Sequence, residues 1–139
     1  MKILNLIFFL ILLLFTLSCN ESTTETKSSE LLNTSWVLEA FEVNGILDIP
    51  PGTQVYNIQF KADNKFTGKN DCNSISGEYE LNSNNIEIDN ISSTEVYCGK
   101  ESMDYRFLEA LRGAESYKIE GNELSIYYQA NSRLVFIDE

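Results

Sequence analysis

The residues best equipped for covalent chemistry in this chain are three cysteines, Cys19, Cys72 and Cys98. A cysteine or serine nucleophile works with a general base, most often histidine, and the chain has no histidine. It also lacks a Gly-x-Ser-x-Gly elbow and a Ser-x-x-Lys pair. Paired carboxylates do acid–base work in other proteins, but 21 acidic residues make pairs by chance and nothing singles one out. Two thiols fall short of the four ligands of a structural zinc site. The stretch "DNKFTG" (63–68) opens like a calcium loop, yet Lys65 and Thr67 occupy ligand positions, so a hairpin turn explains it better. "TGKND" has the Gly-Lys of a phosphate loop without the preceding glycine run. The expectation is a protein with no catalytic residue, no metal and no cofactor.

What the cysteines do depends on compartment, and the other end of the chain bears on that. "MKILNLIFFLILLLFTLSCNE" places one Lys before an apolar run, uninterrupted from Leu6 to Phe15, and closes on Ser18 and Cys19. A spanning helix needs about 20 apolar residues; this run is shorter and has the layout of an export signal, residues 1–18. Its end, "FTLSC", resembles a lipobox, which implies that Cys19 is acylated and begins the mature chain. Acyl chains contribute about 0.8 kcal/mol per buried CH₂, enough to hold a protein at a membrane. Residues 20–30, "NESTTETKSSE", contain no apolar side chain, so 19–30 reads as a disordered tether. Residues 31–139 have the composition of one globular domain.

An exported chain passes through an oxidising compartment. With Cys19 occupied by lipid, Cys72 and Cys98 remain, and two cysteines allow one bridge. It would stabilise the fold by about 3–4 kcal/mol in the chain-entropy model. The alternative is a pair of buried thiols packing as small apolar groups. The net charge of −11 excludes the basic footprint of a nucleic-acid binder and disfavours charge-driven docking on anionic lipid. It fits a soluble domain whose copies repel one another, hence a monomer.

The elements that must position these residues are mostly strands. "SWVLEAF" sets Trp36, Leu38 and Ala40 on one face and Val37, Glu39 and Phe41 on the other. Tyr56, Ile58 and Phe60 alternate in the next run. Ile75, Tyr79 and Leu81 share a face, as do Ile86 and Ile88, and then Leu124, Ile126 and Tyr128. "RLVFI" is apolar on both faces. Such alternation marks half-buried antiparallel strands. "ADNK" and Gly121-Asn122 are hairpin turns. One segment departs from period two: Met103, Phe107, Ala110 and Leu111 form a helical stripe, with Ser102 as the expected N-cap and Gly113 as the stop. The pattern predicts about eight short strands in an antiparallel meander, with one helix before the last three.

Three blocks resemble a known family. "NTSWVLEAFEVNG" carries a Thr/Ser-Trp-x-Leu opening with a following Gly. "IQFKADNKFTGKNDCNSISGEYEL" carries Gly68, Cys72-Asn73 and Gly77-x-Tyr79. "STEVYCGKESMDYRFLEAL" carries Thr94, Cys98 and the Phe107-Leu108 helix. Together they resemble the META domain, which includes HslJ-like bacterial envelope proteins. Asp71 stands where that family usually has Gly, and Glu95, Val96 and Asp104 also depart from its pattern. The resemblance implies a small lipocalin-like β barrel with a helix, an envelope location often reached as a lipoprotein, and an association with heat shock and novobiocin resistance. It implies no enzymatic activity, and gives Trp36, Gly68, Asn73, Gly77, Thr94, Phe107 and Leu108 structural roles. The expected partners are of three kinds: the membrane through the anchor, an unidentified envelope protein, or a small apolar ligand inside the barrel. For the last, Trp36, Tyr56, Tyr79, Tyr97, Tyr105, Tyr117, Tyr127 and Tyr128 are the candidate lining. About 109 residues suffice for a barrel filled by its own side chains, which makes these aromatics core or strand-surface residues.

Overall fold

The computed structural model describes residues 29–139. The expected leader, Cys19 and the expected tether up to residue 28 lie outside the described residues. Residues 29–31 are helical, so the last two positions of the expected tether belong to regular structure.

Nine antiparallel strands follow: β1 (Trp36–Val43), β2 (Ile46–Asp48), β3 (Tyr56–Phe60), β4 (Lys65–Asn70), β5 (Asn73–Asn82), β6 (Asn85–Ser93), β7 (Ser116–Glu120), β8 (Glu123–Gln129) and β9 (Ser132–Asp138). The helix α1 (Asp104–Arg112) precedes β7. The strands form one sheet in the order β2-β1-β3-β4-β5-β6-β7-β8-β9, and β9 pairs back onto β1. That pairing closes the sheet into a barrel-like ring. The eight expected strands become nine because β2, whose residues are all exposed, has no buried face to show in the sequence.

Closure leaves one weak seam. β6 and β7 share only the Asn85–Ser116 pair, and α1 lies against β4, β6 and β8, filling the gap with Phe107, Ala110 and Leu111. Its N-cap is Met103 rather than the expected Ser102; Ser102 Oγ instead accepts a hydrogen bond from the Asp104 N–H at 3.4 Å. Gly113 is the C-cap, as the sequence predicts, its N–H bonded to Glu109 O.

The interior is filled by side chains. Ile58, Phe60, Phe66, Ile86, Phe107, Leu111, Leu124, Ile126, Leu134 and Phe136 are essentially inaccessible to solvent. Their rings meet edge-on, Phe60 with Tyr79 at 4.9 Å and Tyr56 with Phe107 at 5.3 Å between centroids, the arrangement that aromatic quadrupoles favour. Among the described residues one continuous core runs from Leu31 to Phe136, as expected of a domain with its own core.

Of three register breaks, between Leu38 and Ala40, Ser76 and Glu78, and Tyr127 and Gln129, the first two correct the simple alternation. Glu39 is an extra residue between Leu38, opposite Phe136, and Ala40, opposite Val135. Beyond it the parity flips: Phe41, expected to point outward, pairs with inward Leu134 and is fully buried. Ala40 turns to the outer face, where Val135 and Ser125 are also buried. The register also breaks where Ser76 pairs with Ser92 and Glu78 with Asp89. Asn90 there has a left-handed φ of 52°, and Ile91 packs against the core after Ile88. A bulge inserts one residue and so exchanges the faces of the residues after it.

Candidate functional site

Strand direction gives the ring two distinct ends. At one, the chain enters: Leu31 is buried, its carbonyl accepts the Trp36 Nε1–H at 3.1 Å, and Leu32 bridges to Phe60. The 61–64 hairpin, the β5–β6 turn and the β7–β8 turn lie at this end. The opposite end gathers the β1–β2 hairpin, residues 49–55, the β4–β5 turn and the loop 94–103. Of the expected site residues, Cys72, Asn73, Thr94 and Cys98 converge here, while Trp36 belongs to the entry end.

Cys72 and Cys98 form a disulfide across 26 residues, with Cα atoms 5.5 Å apart, inside the usual range. The bridge takes both thiols out of consideration as nucleophiles or ligands. Beside it, Asn73 is 3% exposed and holds the loop by every polar atom of its side chain. Its Oδ1 accepts the Val96 N–H at 2.8 Å and the Thr94 hydroxyl at 2.9 Å. Its Nδ2 donates to Val96 O at 2.9 Å and toward Cys98 Sγ at 3.2 Å. Thr94 Oγ1 in turn accepts the Ser74 N–H at 3.1 Å. A buried amide fully satisfied in this way fixes one geometry. The Cys-Asn of the second block and the Thr and Cys of the third thus form a single clasp.

The motif glycines are packing requirements. A Cβ on Gly68 would overlap the Asn57 carbonyl oxygen, and one on Gly77 would lie 2.6 Å from the Phe66 ring and 2.8 Å from Asp89 O. Neither site admits a side chain. Asp71, at the position where the resemblance leads one to expect Gly, has φ of 58°. Only Gly, and to a lesser degree Asn and Asp, enter this region readily, so both the preference and the replacement follow from the turn. Trp36 and Phe107 are core, and Leu108 is half-buried against it.

Several residues at this end have hydrogen-bonding roles that the sequence does not signal. Tyr56 Oη accepts the Met103 N–H at 2.7 Å and donates to Gln54 Oε1 at 2.9 Å, while Gln54 Nε2 reaches Glu101 O at 2.7 Å. Burial raises the Tyr56 pKa above its ordinary value, its hydrogen bonds partly opposing this. Arg106 lies 4.2 Å from the centroid of the Phe41 ring and pairs with Asp48, joining α1 to β2. Asn70, 1% exposed, has neither side-chain oxygen nor nitrogen partnered, and Asp71 Oδ2 is also buried without a partner. Burying these groups is not offset by any protein hydrogen bond.

The same end displays apolar side chains. Ile46 is 73% exposed, Leu47 57%, Ile49 65%, Val55 50%, Val96 58%, Tyr97 79% and Tyr105 73%. All the large exposed hydrophobics among the described residues are of this group. Their trace in the sequence is "NGILDIPPG": apolar residues between turn formers, with no alternation to bury them. Of the aromatics considered for a ligand pocket, Trp36, Tyr56, Tyr79, Tyr117 and Tyr128 are core, and Tyr97 and Tyr105 face solvent.

Elsewhere the outer wall carries a charge network. Arg133 donates to Glu42 at 2.8 Å, to Glu123 at 3.1 Å and to Ser125 at 2.7 Å. The bond to Glu42 is the main reason its pKa rises further. A surface hollow of about 550 Å³ beside it is lined by Glu42, Asn44, Gly45, Tyr127, Asn131, Ser132 and Arg133. Among the described residues no cluster of three or more His, Cys, Asp or Glu could hold a metal, and no helix is long and apolar enough to cross a membrane.

Solved structures with similar folds agree with this architecture. An NMR structure of a protein from Burkholderia xenovorans aligns with a TM-score of 0.69 at 17% identity, covering 82% of this chain and 87% of that one. A crystal structure of a DUF4847 family protein from Bacteroides vulgatus aligns at 0.60 and 18% identity, covering 80% and 96%. A further NMR structure aligns at 0.60 and 22%, covering 78% and 92%. At these identities the likeness is one of fold. No curated protein matches. The META domain model matches residues 29–139, the whole described fold with its Cys-Asn clasp, and the chain therefore belongs to the META domain family.

Proposed function

We propose that this META-domain protein is an HslJ-like, non-enzymatic lipoprotein of the bacterial cell envelope. It is anchored through Cys19 and acts by binding or protecting another envelope protein, as part of a response to stress or antibiotics. One observation carries the choice of a protein partner over an enclosed ligand: the inward faces of the strands are occupied by their own side chains, while large apolar residues point outward at one end. A ligand-carrying barrel keeps its interior open. The non-enzymatic reading is supported by the missing histidine and by the use of both Cys72 and Asn73 in holding a loop.

Two measurements test this. Cys19→Ala should move the protein from the membrane to the soluble envelope fraction, and the wild type should incorporate labelled palmitate; membrane fractionation of the variant with no label in the wild type would end the anchoring idea. Crosslinking in intact cells, read by mass spectrometry, should yield covalent adducts between this chain and another envelope protein. A thermal shift with small apolar molecules and no protein adduct would favour the ligand barrel instead.

A further inference from the structure

The segments that bear the seven exposed apolar residues are tied to one another at the end opposite the chain entry. Asp48 of β2 binds Arg106, next to Tyr105. The helix start hangs on Tyr56 through Met103 N–H, and Gln54, bonded to that same tyrosine, holds Glu101 O. Val55 O accepts the Asp71 N–H at 2.8 Å. Cys72 then leads through the disulfide to the loop bearing Val96 and Tyr97. Asn73 and the bridge hold that loop in place before any partner arrives, which reduces the ordering cost of binding.

The rim of this end is acidic. The segments that carry the apolar residues also carry Asp48, Asp71, Glu95, Glu101 and Asp104, against Lys100 and Arg106. Arg106 and Asp48 are paired with each other, which leaves the exposed Glu95 and Glu101, with the half-buried Asp71 and Asp104, against Lys100. A second copy of the chain would bring a like-charged rim to the same face, within a molecule of net charge −11, and anionic lipid would be repelled in the same way. We propose that this end docks an apolar segment of another protein flanked by Lys or Arg, its apolar side chains covering Ile46, Ile49 and Tyr105 and its cations facing the acidic rim. The proposal rests on the protein-binding reading above and specifies its surface and the partner's chemistry.

The test uses residues 20–139, which contain the core of the described residues from Leu31 to Phe136, labelled with ¹⁵N. The probes are two synthetic twelve-residue peptides with identical Leu, Ile and Tyr positions, one with Lys and the other with Glu at the intervening sites. Vesicles of phosphatidylcholine and phosphatidylglycerol (3:1) serve as a third probe. The Lys peptide should bind at least about tenfold more tightly than the Glu peptide, a difference of about 1.4 kcal/mol, and shift amides at 46–49, 55, 96–97 and 105. The triple variant Ile46→Ser, Ile49→Ser, Tyr105→Ser should lose that binding with an unchanged melting temperature. Equal affinity for both peptides, shifts confined to other residues, vesicle binding through these residues, or a dimer dissolved by the triple variant would each overturn the proposal. Protein adducts in cells together with a failed peptide arm would leave the binding role standing and move it to another surface.

Discussion

The two ends of the ring are closed by opposite means. At the entry end an apolar plug does the work: Leu31, Trp36 and Phe60 are all buried, and Trp36 Nε1–H satisfies the Leu31 carbonyl. At the far end a polar clasp replaces it, built from Asn73, Thr94 and the Cys72–Cys98 bridge. A loop held by hydrogen bonds and a covalent link does not need its apolar side chains for its own packing. Val96 and Tyr97 are therefore turned out to solvent, while the entry end uses its hydrophobic residues for stability.

This contrast is broken most severely by Trp36→Ala, which removes a buried ring and orphans Leu31 O; a loss of about 3–5 kcal/mol is expected from denaturant unfolding. Reducing the disulfide, or making Cys72→Ser with Cys98→Ser, should cost about 3 kcal/mol. Alkylation with and without reductant followed by mass spectrometry checks that the bridge is present. Asn73→Ala should cost about 2–3 kcal/mol by leaving the Val96 backbone groups unpaired, and its effect should not add to that of the disulfide variant, because both act on one loop. Only three residues away, Asn70→Leu should stabilise by about 1 kcal/mol, since it removes an amide that no protein group satisfies.

The mildest test is pH. Tyr56, Tyr79 and Tyr117 all have pKa values raised above the usual 10, chiefly by burial. Their neutral forms are favoured in the fold, so their contribution to stability should be constant below about pH 10 and fall as pH rises beyond it, where the unfolded chain loses protons first. The slope in denaturant midpoints should shrink with each Tyr→Phe change. Tyr79→Phe should shrink it while also sacrificing the hydrogen bond to Lys61 O.

Much of the fold is legible in the sequence, for identifiable reasons. Alternation in β3, β5 and β8 reports a buried face directly, and the Phe107-Ala110-Leu111 stripe reports a helix packed on one side. Phe41 and Ile91 are not legible as core, because a bulge is a property of two paired strands and Glu39 and Asn90 look ordinary in one. β2 escapes notice because nothing covers it. Cys72, Asn73, Thr94 and Cys98 are visible as motif residues, but the part Asn73 plays depends on a loop more than twenty positions away. The exposure of Ile46, Ile49 and Tyr97 is hidden for the converse reason: an apolar residue in a turn-rich stretch looks the same whether it is buried or displayed.

The central claim is that the far end is the working face. The direct measurement places a photo-crosslinking amino acid at Leu47, Tyr97 or Tyr105 and, as controls, at Lys61, Asn84 or Glu120 near the chain entry, in the full chain in intact cells. The expected result is one adduct of the same mass from the three far-end positions, with a Lys- or Arg-flanked apolar segment at the linked site, and none from the controls. Adducts from the entry end alone, or equally from both ends, would contradict the claim.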